Sequence, residues 1–206
     1  CQYTGSQFSV AVNSGTSALH VACLSLDLGK GDWLWTTAVS FVASANCGLY
    51  CGAKVDFVDI DPNDWNLSIH NLKRKLKIAK QGAKLPKVLI VVHLCGQSAN
   101  MNELSRLAKE YNFKIIEAAC HALGGKYLGK PIGSCIYSDI TVFSFHPVKS
   151  ITTGEGGAAT TNNLKLAETM RLLRSHGITR DHKFMIGEPH GAWHYQQICL
   201  GYNYRL

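Results

Sequence analysis

An uninterrupted apolar run in the middle of the chain constrains the fold more than any other feature. The run is Val88-Leu89-Ile90-Val91-Val92, with Pro86 just before it and His93–Gly96 after it. Five aliphatic residues without polar alternation are typical of a parallel strand that is buried on both faces. Parallel strands are joined by crossover connections, usually helices. The run therefore predicts a sheet that helices cover on both sides.

Strand-like and helix-like segments alternate along the rest of the chain. Further strands are predicted at Phe8–Val12, Asp32–Thr37, Lys54–Asp59, Phe113–Glu117, Ser138–Phe145 and Gly157–Thr161. Helical periodicity is present at Ala18–Leu26, Ser40–Tyr50, Ile69–Ala79, Met101–Tyr111 and Leu164–Ser175. This alternation predicts an α/β protein, a three-layer αβα arrangement around a mainly parallel sheet.

Composition and cysteine usage narrow the class of protein. The 206 residues are 46% hydrophobic and 17% charged, which suits one large domain with a real core. No apolar run is long enough for a membrane span, and no signal peptide is visible. The eight cysteines stand mostly singly in apolar runs, which suits reduced thiols in a cytoplasmic protein. Cys47 and Cys51 are one helical turn apart, but no second ligand pair follows, so no metal site is predicted.

The net charge of +7 leaves more than one class of partner open. Part of the charge is local, in Lys73, Arg74, Lys75, Lys77, Lys80 and Lys84. Their helical spacing is typical of a solvated face. Nucleic-acid binding is the functional alternative, but no aromatic interleaving or binding motif supports it. A basic excess also suits a doubly anionic diphosphate substrate.

The first predicted strand leads through a polar turn into a helix. The turn reads Asn13-Ser14-Gly15-Thr16-Ser17. Free N–H groups and the positive end of the helix dipole make such a helix start an anion site. The alternative is simple N-capping by Ser14 or Thr16.

A lysine follows the predicted strand at Ser138–Phe145. The segment reads Ser-Phe-His-Pro-Val-Lys from Ser144 to Lys149, and Thr-Thr-Gly-Glu-Gly-Gly follows from Thr152. Pro147 ends regular strand pairing, because it has no N–H to donate. A lysine just past a buried strand, among hydroxyls and glycines, is a candidate Schiff-base nucleophile. The alternative is an ordinary solvated lysine on a turn.

Five ordered motifs together resemble the DegT/DnrJ/EryC1/StrS aminotransferases, which are pyridoxal-phosphate (PLP) enzymes that aminate keto-sugars carried on nucleotides. The motifs are Gly15–Leu19, Glu117–Ala122, Ser144–Gly157, Arg174–Asp181 and Gly201–Arg205. The resemblance implies the large domain of a type I PLP-dependent aminotransferase. Residues 1–206 are expected to be most of that domain, without the N-terminal arm and the C-terminal small domain.

The resemblance also assigns roles around the cofactor. It implies that Lys149 binds PLP covalently and acts in catalysis, and that Thr16, Ser17 and Ser144 bind the PLP phosphate. We expect no metal.

Three further residues receive roles from the same resemblance. It implies that Phe41 stacks on the pyridine ring, that His121 contacts the phenolic oxygen, and that Asn203 reaches the phosphate of a neighbouring subunit. A homodimer with shared active sites is therefore expected. On the residues alone, a plain core position is the favoured interpretation of Phe41. His93 either faces the site from its strand end or is a satisfied core histidine.

One position departs from the family pattern. Ala118 stands where the family has the aspartate that pairs with the pyridine nitrogen, and Glu117 before it is expected to point to the opposite face.

The resemblance implies transfer of an amino group, from glutamate, to C4 of a UDP-linked 4-keto-6-deoxy-N-acetylhexosamine, as in biosynthesis of the pseudaminic acid type. The alternative that Ala118 favours is a PLP-fold binding or regulatory protein with impaired catalysis. A sugar dehydratase of the same family is disfavoured, because its defining change replaces the lysine with histidine and Lys149 is present. A nucleic-acid-binding module is the weakest alternative.

Overall fold

The computed structural model describes all residues from Cys1 to Leu206 and is built on a seven-stranded sheet. The strands are β1 (Phe8–Val12), β2 (Trp33–Thr37), β3 (Lys54–Val58), β4 (Val88–Val92), β5 (Lys114–Ala118), β6 (Lys126–Tyr127), β7 (Lys130–Pro131), β8 (Ile140–Ser144), β9 (Gly157–Thr161), β10 (Ile178–Thr179) and β11 (Gln196–Gln197). The helices are α1 (Gly15–Ser25), α2 (Ala43–Tyr50), α3 (Ile69–Gln81), α4 (Met101–Tyr111) and α5 (Leu164–Arg174), with single 3₁₀ turns at Leu94–Gly96 and His182–Phe184. No helix reaches the length and hydrophobicity that a membrane crossing needs.

The strand order of the large sheet is β1-β9-β8-β5-β4-β2-β3. The pairs β2–β3, β2–β4, β4–β5 and β5–β8 are parallel, whereas β9 is antiparallel to both of its neighbours. The sheet is therefore mainly parallel, as predicted. The carboxyl ends of six strands and the amino end of β9 lie at one edge, where open α/β sheets bind their ligands.

The apolar core lies on both faces of the sheet. Along β4, Val88 and Ile90 pack in a cluster with α1, α2 and α5. Leu89 and Val91 pack in a second cluster with α3 and α4. This alternation confirms the predicted αβα layers, since the uninterrupted apolar run supplies one side chain to each face in turn.

The predicted start of the second helix is wrong by three residues. The segment was expected to be helical from Ser40, but α2 begins at Ala43 and Val42 makes no side-chain cap. Ser40 Oγ hydrogen-bonds to Ser44 Oγ at 2.8 Å, and such local side-chain bonds compete with helical backbone bonds. Phe41 therefore lies ahead of the helix, with 74% of its surface exposed. The alternative prediction, a core position for Phe41, is therefore wrong.

Helix α3 carries the basic run on a solvated face, as its spacing predicts. It buries Leu72, Leu76 and Ala79 and leaves most of its lysines outside. Lys73 pairs with Glu103 at 2.6 Å, and Lys75 pairs with Asp56 at 2.7 Å. Exposed pairs of this kind contribute little to stability, so the run keeps the surface charged rather than building the fold.

Candidate active site

A cavity of about 650 Å³ opens at the carboxyl edge of the parallel strands. Its walls come from the ends of β1, β2, β4, β5 and β8 and from the starts of α1 and α2. The lining residues are Ser14, Gly15, Thr16, Leu19, Val39, Ser40, Phe41, Ala43, Ser44, Val92, His93, Leu94, Ala118, Cys120, His121, Ser144, His146, Val148, Lys149 and Glu155. Five of the seven sequence-predicted site residues thus meet at one cavity.

The start of α1 forms one wall of the cavity. Ser14 caps the helix in an extended conformation, and its Oγ accepts from the N–H of Ser17. The first N–H groups of a helix have no partner within it, so they are available to an anion. A Cβ on Gly15 would lie 2.9 Å from Ser144 Cβ, so the glycine lets the helix start touch the end of β8. Thr16 and Ser144 therefore flank a cradle suited to a phosphate.

Ser17 has a different environment from the one that the resemblance implies. Its Oγ donates to Asn13 Oδ1 at 2.6 Å and lies 2.9 Å from Ser14 Oγ. The residue is buried and does not line the cavity. In this structure Ser17 holds the β1–α1 turn together, and its role at a phosphate stays a prediction.

Lys149 and His121 both line the cavity, and their side chains are in contact. Lys149 Nζ lies 2.9 Å from His121 Nε2. Burial, and then the positive charge of Lys149, lower the pKa of His121. The imidazole is therefore neutral at pH 7, so its Nε2 can accept a hydrogen bond from the lysine ammonium. The contact makes an ordinary solvated lysine a poor description of Lys149.

The ends of β4 and β5 bring a buried histidine against a buried carboxylate. His93 is 1% exposed, its Nε2 lies 2.7 Å from Glu117 Oε2, and its Nδ1 accepts from the N–H of Ala99 at 3.2 Å. Thr141 Oγ1 donates to Glu117 at 3.0 Å, and Ser138 Oγ donates to it as well. His93 is thus a satisfied core histidine whose ring also forms part of the cavity wall.

The pKa of Glu117 reflects that network. Burial alone would raise the pKa, but the hydrogen bond and charge of His93, with the two hydroxyls, hold it below its ordinary value. The carboxylate of Glu117 is therefore ionised, and both of its oxygens accept hydrogen bonds. The next residue along β5, Ala118, lines the cavity instead. Adjacent strand residues point to opposite faces, so Glu117 cannot fill the place of a carboxylate at Ala118.

Phe41 and Asn203 lie at the periphery. Phe41 lines the cavity and is largely exposed, and its stacking on a pyridine ring stays a prediction. Asn203 bridges to Ser175 through its backbone, and its carbonyl accepts from Asn13 Nδ2 at 3.4 Å. The residue is exposed and lies outside the cavity of its own chain. Its role towards a neighbouring subunit stays a prediction.

Several polar lining residues received no role from the sequence, among them His146, Glu155 and Cys120. His146 Nε2 lies 3.8 Å from Glu155 Oε1, at the side of the cavity where Lys149 stands. Burial raises the pKa of the Cys120 thiol, although the charge of Lys149 partly offsets this. His146 and Glu155 belong to the motifs around Lys149, so proximity to the lysine was the available signal. No three His, Cys, Asp or Glu side chains are arranged to hold a metal ion.

The cavity fits PLP at its phosphate end and at its lysine, but not at the ring nitrogen. The close approach of Gly15 to Ser144 brings the N–H groups at the start of α1 beside the Ser144 hydroxyl, a set of donors that suits an oxyanion, and Lys149 supplies the amine. The carboxylates near the cavity do not provide a partner for the ring nitrogen. Glu117 faces away, and Glu155, the one carboxylate of the lining, has a side chain that is 64% exposed.

A model of the DegT/DnrJ/EryC1/StrS aminotransferase family matches residues 1–206, and that family is PLP-dependent. The chain is 44% identical to a UDP-4-amino-4,6-dideoxy-N-acetyl-beta-L-altrosamine transaminase from Campylobacter jejuni, over 100% of the chain and 50% of the relative. It is 36% identical to a GDP-perosamine synthase from Caulobacter vibrioides, over 99% of the chain and 50% of the relative.

Among solved structures, the aminotransferase PseC from Helicobacter pylori, involved in the biosynthesis of pseudaminic acid, superposes with a TM-score of 0.87 at 31% identity. That match covers 100% of the chain and 51% of PseC. The chain spans about half the length of the curated relatives it matches.

Proposed function

Because this chain belongs to the DegT/DnrJ/EryC1/StrS aminotransferase family, we propose that it carries the cofactor site of a PLP-dependent nucleotide-sugar aminotransferase. The proposed reaction transfers an amino group from glutamate to C4 of a UDP-linked 4-keto-6-deoxy-N-acetylhexosamine, in a pathway of the pseudaminic acid type. The observation that carries the proposal is the contact of Lys149 Nζ with His121 Nε2 beside the helix start at Gly15.

We assign different roles to different residues of the cavity. PLP, when bound, supplies an electron sink that the side chains of a protein lack. Thr16, Ser144 and the N–H groups at the start of α1 hold the phosphate. Lys149 would hold PLP through its Nζ, and the same amine, once the amino group of the substrate has displaced it, would carry the proton to or from the sugar C4. Neutral His121 accepts a hydrogen bond and so orients the groups at Nζ.

The proposed substrate is supported by relatives and by charge. The relative at 44% identity is named for a UDP-linked 4,6-dideoxy amino sugar. The net charge of +7 suits a substrate that carries a diphosphate. For the cofactor, we assign Phe41, an exposed residue of the cavity lining, to stack on the pyridine ring, and such stacking contributes about 0.5–1.5 kcal/mol beyond area burial.

We also propose a homodimer with shared sites. Large apolar side chains are exposed near the cavity mouth, at Phe41, Val42, Val148 and Ile151. Exposed large apolar side chains close to one another in sequence around a site are a common mark of a protein interface. Asn203 is exposed and free to reach the phosphate cradle of a second copy.

The direct experiment uses ¹⁵N-labelled glutamate to follow the transferred amino group. The PLP-loaded chain is given ¹⁵N-glutamate and a UDP-linked 4-keto-6-deoxy-N-acetylhexosamine, and the sugar product is analysed by mass spectrometry. The proposal predicts ¹⁵N at C4 and slower transfer to a GDP-linked 4-keto-6-deoxyhexose, the control that the GDP-perosamine synthase suggests. Faster transfer to the GDP-linked sugar would contradict the proposed substrate.

Ala118 supports a second candidate, a PLP-fold binding or regulatory protein with little catalysis. The residue is 6% exposed and places a methyl group on the cavity wall, where no carboxylate replaces it. Adding glutamate to the PLP-loaded chain separates the two candidates. A shift of the cofactor absorbance supports the aminotransferase, whereas an unchanged spectrum supports the binding protein.

A further inference from the structure

The turn that carries Lys149 is fastened to one residue, His146. Pro147 has no N–H, so the first two N–H groups of the turn belong to Val148 and Lys149. The N–H of Val148 donates to His146 Nδ1 at 3.3 Å. The N–H of Lys149 donates to the His146 carbonyl at 2.9 Å. Both donors that precede the lysine side chain are therefore bound by the same residue.

His146 is itself held from two other sides. Its N–H donates to Ser144 Oγ at 3.4 Å, which ties it to the end of β8. Because Nδ1 accepts a hydrogen bond, the neutral ring must carry its proton on Nε2. Nε2 faces Glu155 Oε1 at 3.8 Å, on the far side of the loop. His146 thus links the strand, the lysine turn and the glycine-rich segment.

Few other contacts fix this half of the loop. Val148 is 76% exposed and Ile151 is also exposed, so packing does not hold residues 147–151. Apart from the two bonds to His146, their one hydrogen bond is that of Lys149 Nζ to His121. The other half of the loop has its own anchors, because Thr152 Oγ1 and the N–H of Thr153 both donate to the Phe145 carbonyl.

We propose that His146 is a positioning residue, whose ring Nδ1 and carbonyl fix the turn so that Lys149 Nζ stands at His121. A lysine side chain is long and flexible, so the orientation of the backbone at residue 149 determines which positions its amine can occupy. The part of this inference that concerns cofactor capture rests on the proposed function. The part that concerns the turn does not.

Two substitutions separate the acceptor from the imidazole. In His146→Asn, the amide oxygen can accept the N–H two residues on, as asparagine does in turns. His146→Leu keeps a similar volume without an acceptor. His70→Leu changes an exposed histidine on α3, outside the cavity, and is the matched control. If His146→Leu fails to fold by circular dichroism, His146→Ala takes its place.

The first readout needs no cofactor. Amide hydrogen exchange at Val148 is expected to rise at least about fivefold in His146→Leu and to stay within about twofold in His146→Asn and His70→Leu, since the hydrogen bond of the Val148 N–H to a side-chain acceptor at residue 146 is lost only in the first. Unchanged exchange in His146→Leu, or an equal rise in His146→Asn, would overturn the positioning role.

The second readout is the rate at which PLP is trapped on Lys149 by borohydride. We expect it to fall at least about fivefold in His146→Leu and to be largely restored in His146→Asn. Equal trapping rates in all variants would contradict the inference. If the unaltered chain traps no PLP on Lys149, the proposed function fails, while the exchange measurement still decides the role of His146.

Discussion

Lys149 Nζ lies 2.9 Å from His121 Nε2, although the two residues are 28 positions apart in the chain. The ends of β5 and β8, which are neighbours in the sheet, bring them together. The lowered pKa of His121 keeps its ring neutral beside a cation. The proposed PLP site rests on this arrangement, an amine that faces a neutral acceptor in the same cavity as a helix start.

The contact between Gly15 and Ser144 predicts a sharp effect on phosphate binding. Gly15→Ala places a methyl group 2.9 Å from Ser144 Cβ, so the helix start and the strand end must separate. We expect PLP affinity, measured by fluorescence titration, to fall at least about tenfold. Gly29→Ala is the control, because its methyl group meets no atom within 4 Å. Equal affinities for the two variants would exclude the proposed cradle.

The buried pair of His93 and Glu117 predicts a dependence of stability on pH. The folded-state pKa of Glu117 lies below its ordinary value of 4.5, so the stability that it contributes is present above that pH and is lost as the pH falls below it. The measurement is urea unfolding from pH 7 to pH 3. We expect the acid-dependent loss to be smaller in Glu117→Gln, which has no carboxylate to protonate.

At pH 7 the same Glu117→Gln substitution should destabilise the chain. Removing one member of a buried pair costs on the order of 3 kcal/mol. Glu155→Gln is the control, because that side chain is 64% exposed and should change the free energy of unfolding by less than about 0.5 kcal/mol. A Glu117→Gln chain as stable as the unaltered one would show that the pair contributes nothing.

Much of the architecture was predictable, because it depends on local patterns. The run Val88–Val92 predicted a strand buried on both faces, and the structure places its side chains in the two core clusters alternately. Element ends were less predictable. The start of α2 depends on a bond between Ser40 and Ser44 that hydrophobic periodicity does not register.

The site was predictable where a motif is contiguous and not where it is assembled across strands. The segment from Ser144 to Lys149 indicated its lysine through the family resemblance, and the structure places that lysine in the cavity wall. The pairing of His93 with Glu117, 24 positions apart, depends on the parallel register of β4 and β5, so the sequence alone left His93 open. Ser17 was linked to the phosphate by resemblance, and only the structure placed its hydroxyl on Asn13.

Ala118 predicts a slow enzyme that one substitution should accelerate. A carboxylate beside the pyridine nitrogen favours its protonated form, because an opposite charge favours the charged state, and protonation strengthens the electron sink. In Ala118→Asp, the single-turnover rate with glutamate should rise at least about tenfold, which corresponds to about 1.4 kcal/mol. Ala118→Asn has the same size without the charge and should stay near the original rate. Equal rates for the unaltered chain and for Ala118→Asp would show that the alanine is not what limits the reaction.

The exposed Asn203 predicts complementation between subunits. A chain with Lys149→Ala and a chain with Asn203→Ala should each lack transfer activity or be strongly impaired. In a mixed dimer, one site would combine Lys149 of one copy with the neighbour's intact asparagine, so activity should reappear on mixing. Sedimentation of the PLP-saturated chain should show a dimer. A PLP-saturated monomer with full activity would contradict the shared site.

The most direct test of the whole account locates the cofactor on the chain. The PLP-loaded protein is reduced with borohydride and digested, and the labelled peptide is identified by mass spectrometry. The account predicts one label, on Lys149, and none in Lys149→Ala, while Lys183→Ala, which alters a lysine outside the cavity, keeps the label on Lys149. A label on any other lysine, or an equal label in Lys149→Ala, would contradict the assignment on which the proposed function rests.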